Sequence, residues 1–197
     1  MASQYHPFLL LLLSLLLLPL LCIASFPSTS SHKHHQDHVP VLKSLHFSLY
    51  QHETINQTGY IIVNGVAGAG VGQTTTPFGT IFAFNDKMST KPDSNSNVKG
   101  IAEGVSITSS LDGLRSVSFA KITLKIKGYQ GSISILGGTH NIKPADHPVV
   151  GGTGDFMFVQ GFVRSSPVDL QGVAVVYKIE FHLYWPPYAA AVHGFLK

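Results

Sequence analysis

The segment "AVVYKIEFHLYW", residues 174 to 185, constrains the chain more than any other. Val175, Tyr177, Ile179, Phe181 and Leu183 recur at every second position, with Lys178, Glu180 and His182 between them. Successive side chains of an extended backbone point to opposite faces, so this pattern specifies a strand with one buried and one wet face. "AKITLKIKG" repeats it, with Ala120, Ile122, Leu124 and Ile126 opposing Lys121, Thr123, Lys125 and Lys127. Shorter runs predict further strands over 44–50, 59–64, 79–85, 100–107, 131–137 and 154–164, which makes eight strands in all. The connectors "NQTG", "PDSNSN", "SSLDG", "GYQG" and "SSPVD" are turn chemistry: Gly supplies positive φ, and Asn and Asp bond to their own backbone. Beyond the first 25 residues no helical period runs longer than two turns. The fold class is therefore all-β. Eight antiparallel strands without a covering helix must close into a barrel or stack as a sandwich. A closed barrel of that size is either filled by side chains or holds one small ligand.

The opening segment is of another kind. Phe8 to Ile23 is apolar except for Ser14 and Pro19, and small residues follow at Ala24 and Ser25. That is the pattern of a secretory signal peptide over 1–25, and Pro19 cuts the run short of the roughly 20 apolar residues a membrane span needs. No membrane association is expected after cleavage. Cys22, the sole cysteine, lies within the signal, so the mature chain has no disulfide and must rely on its core. About 170 residues remain, enough for one domain. A Ser- and His-rich arm at 26–41 precedes the domain at 42–190. His32, His34, His35 and His38 have ligand chemistry, but a short arm has nothing to orient them; a solvated tail is expected and no metal site is assigned. The formal charge of +3 comes from scattered residues, which argues against nucleic acid as a partner.

The glycines of "HPVVGGTGDF", residues 147 to 156, admit two readings, a phosphate cradle or a turn. A cradle needs a helix after its glycines, so that backbone N–H groups and the helix dipole converge on the anion. Here alternation follows instead, so Gly151, Gly152 and Gly154 are expected at a turn or bulge on the barrel rim, leading into the strand over 154–164. "GVAGAGVG" at 65–72 likewise lacks the dinucleotide spacing.

"PVVGGTGDFMFVQG" resembles the signature segment of plant dirigent proteins, and "PFGTIFAFNDKMS" resembles their second block. "LHFSLYQHETINQT", "GSISILGGTH" and "YKIEFHLYW" are similar to the first, fifth and last blocks, in order, and together they span Leu42 to Tyr188. The resemblance implies an eight-stranded antiparallel β-barrel of the allene oxide cyclase or lipocalin kind. It further implies secretion to the apoplast, N-glycosylation and a homo-oligomer, dimer or trimer. The implied function is stereochemical control over coupling of phenoxy radicals, from coniferyl alcohol or a similar monolignol, to an optically active lignan. A separate laccase or peroxidase supplies the radicals, and no cofactor is implied. The barrel's contribution is orientation, aided by a carboxylic acid that protonates a quinone-methide oxygen.

Carried over position by position, the resemblance implies Asp146 as the acid before the signature. It finds Gln51 where lignan-forming members have an acid, Tyr50 for the preceding His, Gln160 for an Arg and Ser106 for a Tyr. Two residues beyond Gln51, on the same face of an extended strand, Glu53 can restore the acid. Phe47, Phe82 and Phe158 suit a pocket for aromatic rings, with Asp86, Gln51, Ser106 and Gln160 as polar contacts. Asp146 and Asp86 also fit plain turn or loop roles. Asn56-Gln57-Thr58, the sole Asn-x-Ser/Thr sequon, falls in the turn after the first strand and makes Asn56 the expected glycosylation site. Two other activities fit the same residues: acid-assisted cyclisation or dehydration of a phenolic quinone methide, and plain binding of phenolics at the wall.

Overall fold

A computed structural model describes residues 43–66, 76–170 and 172–189. The expected signal peptide and His-rich arm lie outside the described residues. Nine strands are present among them: β1 (Lys43–Thr54), β2 (Gly59–Val63), β3 (Ile81–Ser89), β4 (Val98–Thr108), β5 (Arg115–Ile126), β6 (Tyr129–His140), β7 (Ala145–Gly154), β8 (Gln160–Asp169) and β9 (Ala174–Trp185). All pair antiparallel in the order β1-β9-β8-β7-β6-β5-β4-β3-β2, and a β1–β3 pairing closes the sheet. The barrel wall has the expected eight strands, although the sequence pattern counts β1 and β2 separately and omits β7. β1 and β2 run in the same direction along β3: Tyr50, Gln51 and His52 face Ser89, Met88 and Lys87, and pairing resumes with Gly59 opposite Phe84. They are one wall strand interrupted by the loop of residues 55–58.

Alternation sets the interior. Leu49, Met88, Ile122, Leu124, Ile133, Phe181 and Leu183 are almost fully buried and form the core at the end where β1 begins. Burial of this apolar surface drives closure, at about 25 cal/mol per Å². Toward the other end the inward positions of β4 and β5 shrink to Ala102, Gly104, Ser106, Ser118 and Ala120, and the packed core gives way to a cavity.

The glycine-rich segment departs from expectation in an informative way. Residues 145–154 form β7, and the glycines end that strand instead of starting one. Residues 155–159 then make a compact turn, held by Phe156 N–H to Thr153 O at 3.1 Å and Val159 N–H to Phe156 O at 3.1 Å, before β8 begins at Gln160. The cause is local: Gly154 sits at φ 60°, and the carbonyl oxygen of Phe156 occupies the space a Cβ on Gly152 would need. The turn drives Phe156 into the barrel end against Tyr129 and Trp185, with ring centroids 6.0 and 6.2 Å away. Lys43 Nζ caps this plug 4.8 Å from the Tyr129 ring and 4.7 Å from the Trp185 ring. One end of the barrel is thus sealed by aromatics, and a ligand must enter at the other.

Candidate functional site

The cavity, about 260 Å³, has an apolar wall and two polar regions. Phe82, Phe84, Ala102, Ile122, Ile135 and Ile179 line the wall; Gln51, Glu53 and Tyr177 form one polar region, and Ser106, Ser118, Thr139, Asn141 and His147 belong to the other.

The first region is built on the break between β1 and β2. Gln51 and Glu53 point inward because they continue the face of Leu45 and Leu49. Asp86 on β3 points inward for the same reason, between Phe84 and Met88, and is fully buried. Its carboxyl accepts from Gln51 Nε2 at 2.7 Å and from Thr58 Oγ1 at 2.6 Å. Thr58 Oγ1 also accepts the Thr54 N–H at 2.9 Å, and the Asn85 N–H donates to the Thr58 carbonyl at 2.7 Å. This set of bonds fixes the loop and holds Asp86 near enough to Glu53 for its charge to act on it.

Burial governs the charge of that pair. It raises Asp86 to about 6, against the opposing hydrogen bonds from Thr58 and Gln51. It raises Glu53 to about 7, and the charge on Asp86 adds to the rise. Tyr177, opposite Gln51 in the β1–β9 register, is also pushed up by burial and by both carboxylates, so it remains a donor. Glu53 therefore combines a cavity-lining position with a carboxyl that holds its proton up to about neutral pH, which is what a general acid requires. Its signal in the sequence is its parity with Gln51.

The other expected site residues divide between interior and exterior. Gln51, Phe82 and Ser106 line the cavity, and Asp86 stands behind Gln51 instead of in a loop. Phe47 belongs to the packed core, stacked on Phe181 at 4.4 Å. Phe158, at φ 61° in the turn, lies outside the barrel edge-on to Tyr188, and exposed Gln160 donates to the Tyr188 hydroxyl at 3.3 Å.

Asp146 lies on the outer face. Arg164 clamps it through Nε–Oδ1 at 2.7 Å and Nη2–Oδ2 at 2.8 Å, and this hydrogen-bonded pairing holds its carboxyl below the ordinary range. A carboxylate kept ionised outside the wall cannot donate a proton into the cavity. The residue next to it, His147, does face inward: it is 4% exposed and its Nδ1 has no hydrogen-bond partner. Leaving a buried polar atom unmatched costs about 1–3 kcal/mol. In the sequence His147 is hidden, because its segment reads as a loop, where parity does not apply.

Asn56 is exposed in the turn at φ 63°. Among the described residues no group of three or more His, Cys, Asp or Glu side chains could hold a metal ion. Nor is any helix among them long and apolar enough to cross a membrane.

Comparison with known proteins places this geometry in context. A family model described as Dirigent-like protein matches residues 44–184. Dirigent protein 1 of Arabidopsis thaliana is 25% identical over 177 residues, covering 89% of this chain and 96% of that protein. Pterocarpan synthase 1 of Glycyrrhiza echinata is 25% identical over 127 residues, 63% of this chain and 68% of that protein. Among solved structures, a pterocarpan synthase dirigent protein superposes with a TM-score of 0.64 at 20% identity, over 80% of this chain and 99% of that one, a likeness of fold.

Proposed function

The chain belongs to the dirigent-like protein family, and on that premise we propose that it binds a phenolic quinone methide in its barrel and protonates it through Glu53, so that the new bond forms on one face. The observation that carries this reading is a cavity-lining carboxyl with its pKa raised to about 7, beside a second buried acid.

The proton and electron balance is simple. Glu53 gives its proton to the methide oxygen, which becomes a phenol while the exocyclic carbon becomes more electrophilic. A hydroxyl oxygen of the same molecule attacks that carbon, and the proton it sheds returns to the Glu53 carboxylate. No electron is exchanged in this step. Gln51 and Thr58 hold Asp86, and Tyr177, which lines the cavity and stays protonated, offers a hydroxyl to oxygens of the substrate. The aromatic wall fixes which face of the substrate meets the nucleophile, as binding in a near-attack geometry requires.

A cavity of about 260 Å³ lies just below the usual ligand-pocket range of about 300–1,000 Å³. That size favours one phenolic molecule closing a ring on itself over two held side by side, and in this acid-assisted cyclase reading no oxidase is needed. Likeness to proteins called dirigent proteins supports the other source of the same intermediate. There a laccase or peroxidase removes an electron and a proton from each of two monolignol-like phenols, and their coupling creates the methide that the barrel receives on the way to a lignan.

Secretion to the apoplast, with a glycan on Asn56, fits the apolar leader and the exposed turn. Self-association is supported by the outer face of β4 to β6, where Ile101, Ile107, Val117, Phe119 and Leu136 are exposed together. The test is product chirality with and without oxidase. Enantiomeric excess from a racemic quinone-methide precursor, in the absence of oxidase, supports cyclisation; excess from coniferyl alcohol only with laccase supports coupling. Racemic product in both contradicts the proposal and leaves phenolic binding.

A further inference from the structure

The outer face of the barrel carries a pair of imidazoles that the cavity chemistry does not use. His46 on β1 and His182 on β9 stand directly opposite in the register, 136 residues apart in the chain, and their Nδ1 atoms approach to 3.3 Å. Leu45, Leu49, Phe181 and Leu183 take the inward positions of these strands, so alternation turns both histidines outward, His46 exposed and His182 half-buried. The pair is supported on both sides. Phe162, opposite His182 on β8, stacks on its ring at 4.6 Å and 12°, and Lys127 Nζ donates to the His46 carbonyl oxygen at 3.2 Å. Around the wall, β9 stands four strands from β5 in either direction, so the pair lies away from the apolar face proposed for self-association.

A separation of 3.3 Å is long for a hydrogen bond, but it matches two ligands of one ion. Nitrogens bound to a tetrahedral Zn²⁺ at about 2.0–2.1 Å stand about 3.3–3.4 Å apart. The right angle of a square-planar Cu²⁺ or Ni²⁺ site draws them to about 2.8–3.0 Å. We infer that His46 and His182 chelate one Zn²⁺ through Nδ1, with water in the two remaining positions. Both rings then carry their hydrogen on Nε2, and two bonds to the ion replace the single hydrogen bond between them. Two carboxylates lie within electrostatic reach of His182, but Arg164 holds Asp146 and Lys178 holds Glu180, so neither is spare to close the shell. The ligands come from strands that meet only in the closed barrel, so the ion binds the folded chain and ties β1, which carries Glu53, to β9, which carries Tyr177. Zinc binding here does not depend on what the cavity holds.

His32, His34, His35 and His38 of the arm can take up zinc themselves, so the test uses the chain with those four changed to Asn. Titration calorimetry with zinc chloride should give one ion per chain, and the melting temperature should rise as zinc is added, because the ion favours the folded state. Magnesium chloride, a hard cation with little affinity for imidazole, should do neither. His46→Asn or His182→Asn, added to that chain, should weaken zinc binding by at least the roughly tenfold that loss of a supporting partner costs, and should abolish the rise. Without zinc, either variant should melt with its parent, as expected for an outer-face substitution. Absence of zinc binding, binding undiminished by either substitution, or binding without a rise in melting temperature overturns the assignment.

Discussion

The Gln51 amide donates to the Asp86 carboxyl across 2.7 Å, at the seam where β1 and β3 close the barrel through three residue pairs. An amide supports the acid in either protonation state, whereas a carboxylate at the same position would repel it. An amide at position 51 thus avoids a third carboxyl at a place that already holds two acids, and Glu53 is the acid that lines the cavity.

Gln51→Glu should make the seam sensitive to alkali. With three carboxyls together, the variant should match wild type near pH 4.5 and lose about 1–3 kcal/mol by pH 8, the range for a lost buried hydrogen bond with an unmatched partner. Urea unfolding at the two pH values measures this; equal losses at both would contradict the electrostatic account.

The acid pair also sets a pH dependence in the wild type. Both folded pKa values, about 7 for Glu53 and about 6 for Asp86, lie above their ordinary values of 4.5 and 3.8. The folded state therefore binds more protons than the unfolded state between about pH 4 and 7. This contribution is fully present below the ordinary carboxyl range and is lost as pH rises through 7. His52 and His147, both lowered by burial, act in the opposite direction: their contribution is fully present above 6.5 and is lost as pH falls from 6.5 through their lowered folded values. Maximum stability is therefore expected below pH 6.5 and above the ordinary carboxyl range, and in Glu53→Gln the decline toward pH 8 should be shallower, as read from melting temperatures across pH 4 to 8.

Gly152 and Gly151 are adjacent but unlike. A Cβ on Gly152 meets the Phe156 backbone carbonyl, whereas one on Gly151 meets nothing within 4 Å. Gly152→Ala should displace the plug and cost on the order of 3 kcal/mol, comparable to losing Phe156 itself, while Gly151→Ala should stay within about 0.5 kcal/mol of wild type. Denaturant midpoints for the two variants distinguish a plug from a plain rim turn.

How far the sequence disclosed this arrangement depended on unbroken alternation. The 174–185 and 120–127 runs showed their inner faces directly, and the same parity aligned Glu53 with Gln51. Two places hid their parity. Pro148 and the glycines disguised β7 as a loop, so Asp146 and His147 could not be sorted into outside and inside; Pro is tolerated there because β7 and β8 share a ladder of only four residue pairs. The turn at 155–159 includes Phe158 at φ 61°, a conformation that an aromatic residue seldom adopts, and it breaks the alternation that made 154–164 look like one strand. Burial of Asp86 was equally hidden, since it needs the Gln51 and Thr58 partners that only the closed barrel brings together.

Thr58 serves both the sequon and the acid site, through its 2.6 Å bond to Asp86. Asn56→Gln should remove the proposed glycan and leave stereoselectivity intact. Thr58→Ser should retain both, and Thr58→Ala should lose the glycan and also about 1–2 kcal/mol of stability. Mass spectrometry and thermal melts of the three variants separate these effects.

The central claim is that the proton comes from Glu53 inside the barrel and not from Asp146 outside it. Its most direct test is chiral chromatography of the product formed by wild type, Glu53→Gln and Asp146→Asn from the same quinone-methide precursor. Glu53→Gln is expected to lower the rate about 10²–10⁴-fold, the usual contribution of a positioned acid, and to leave only racemic background product, while Asp146→Asn keeps the wild-type rate and enantiomeric excess. Retained selectivity in Glu53→Gln, with loss in Asp146→Asn, would contradict the account.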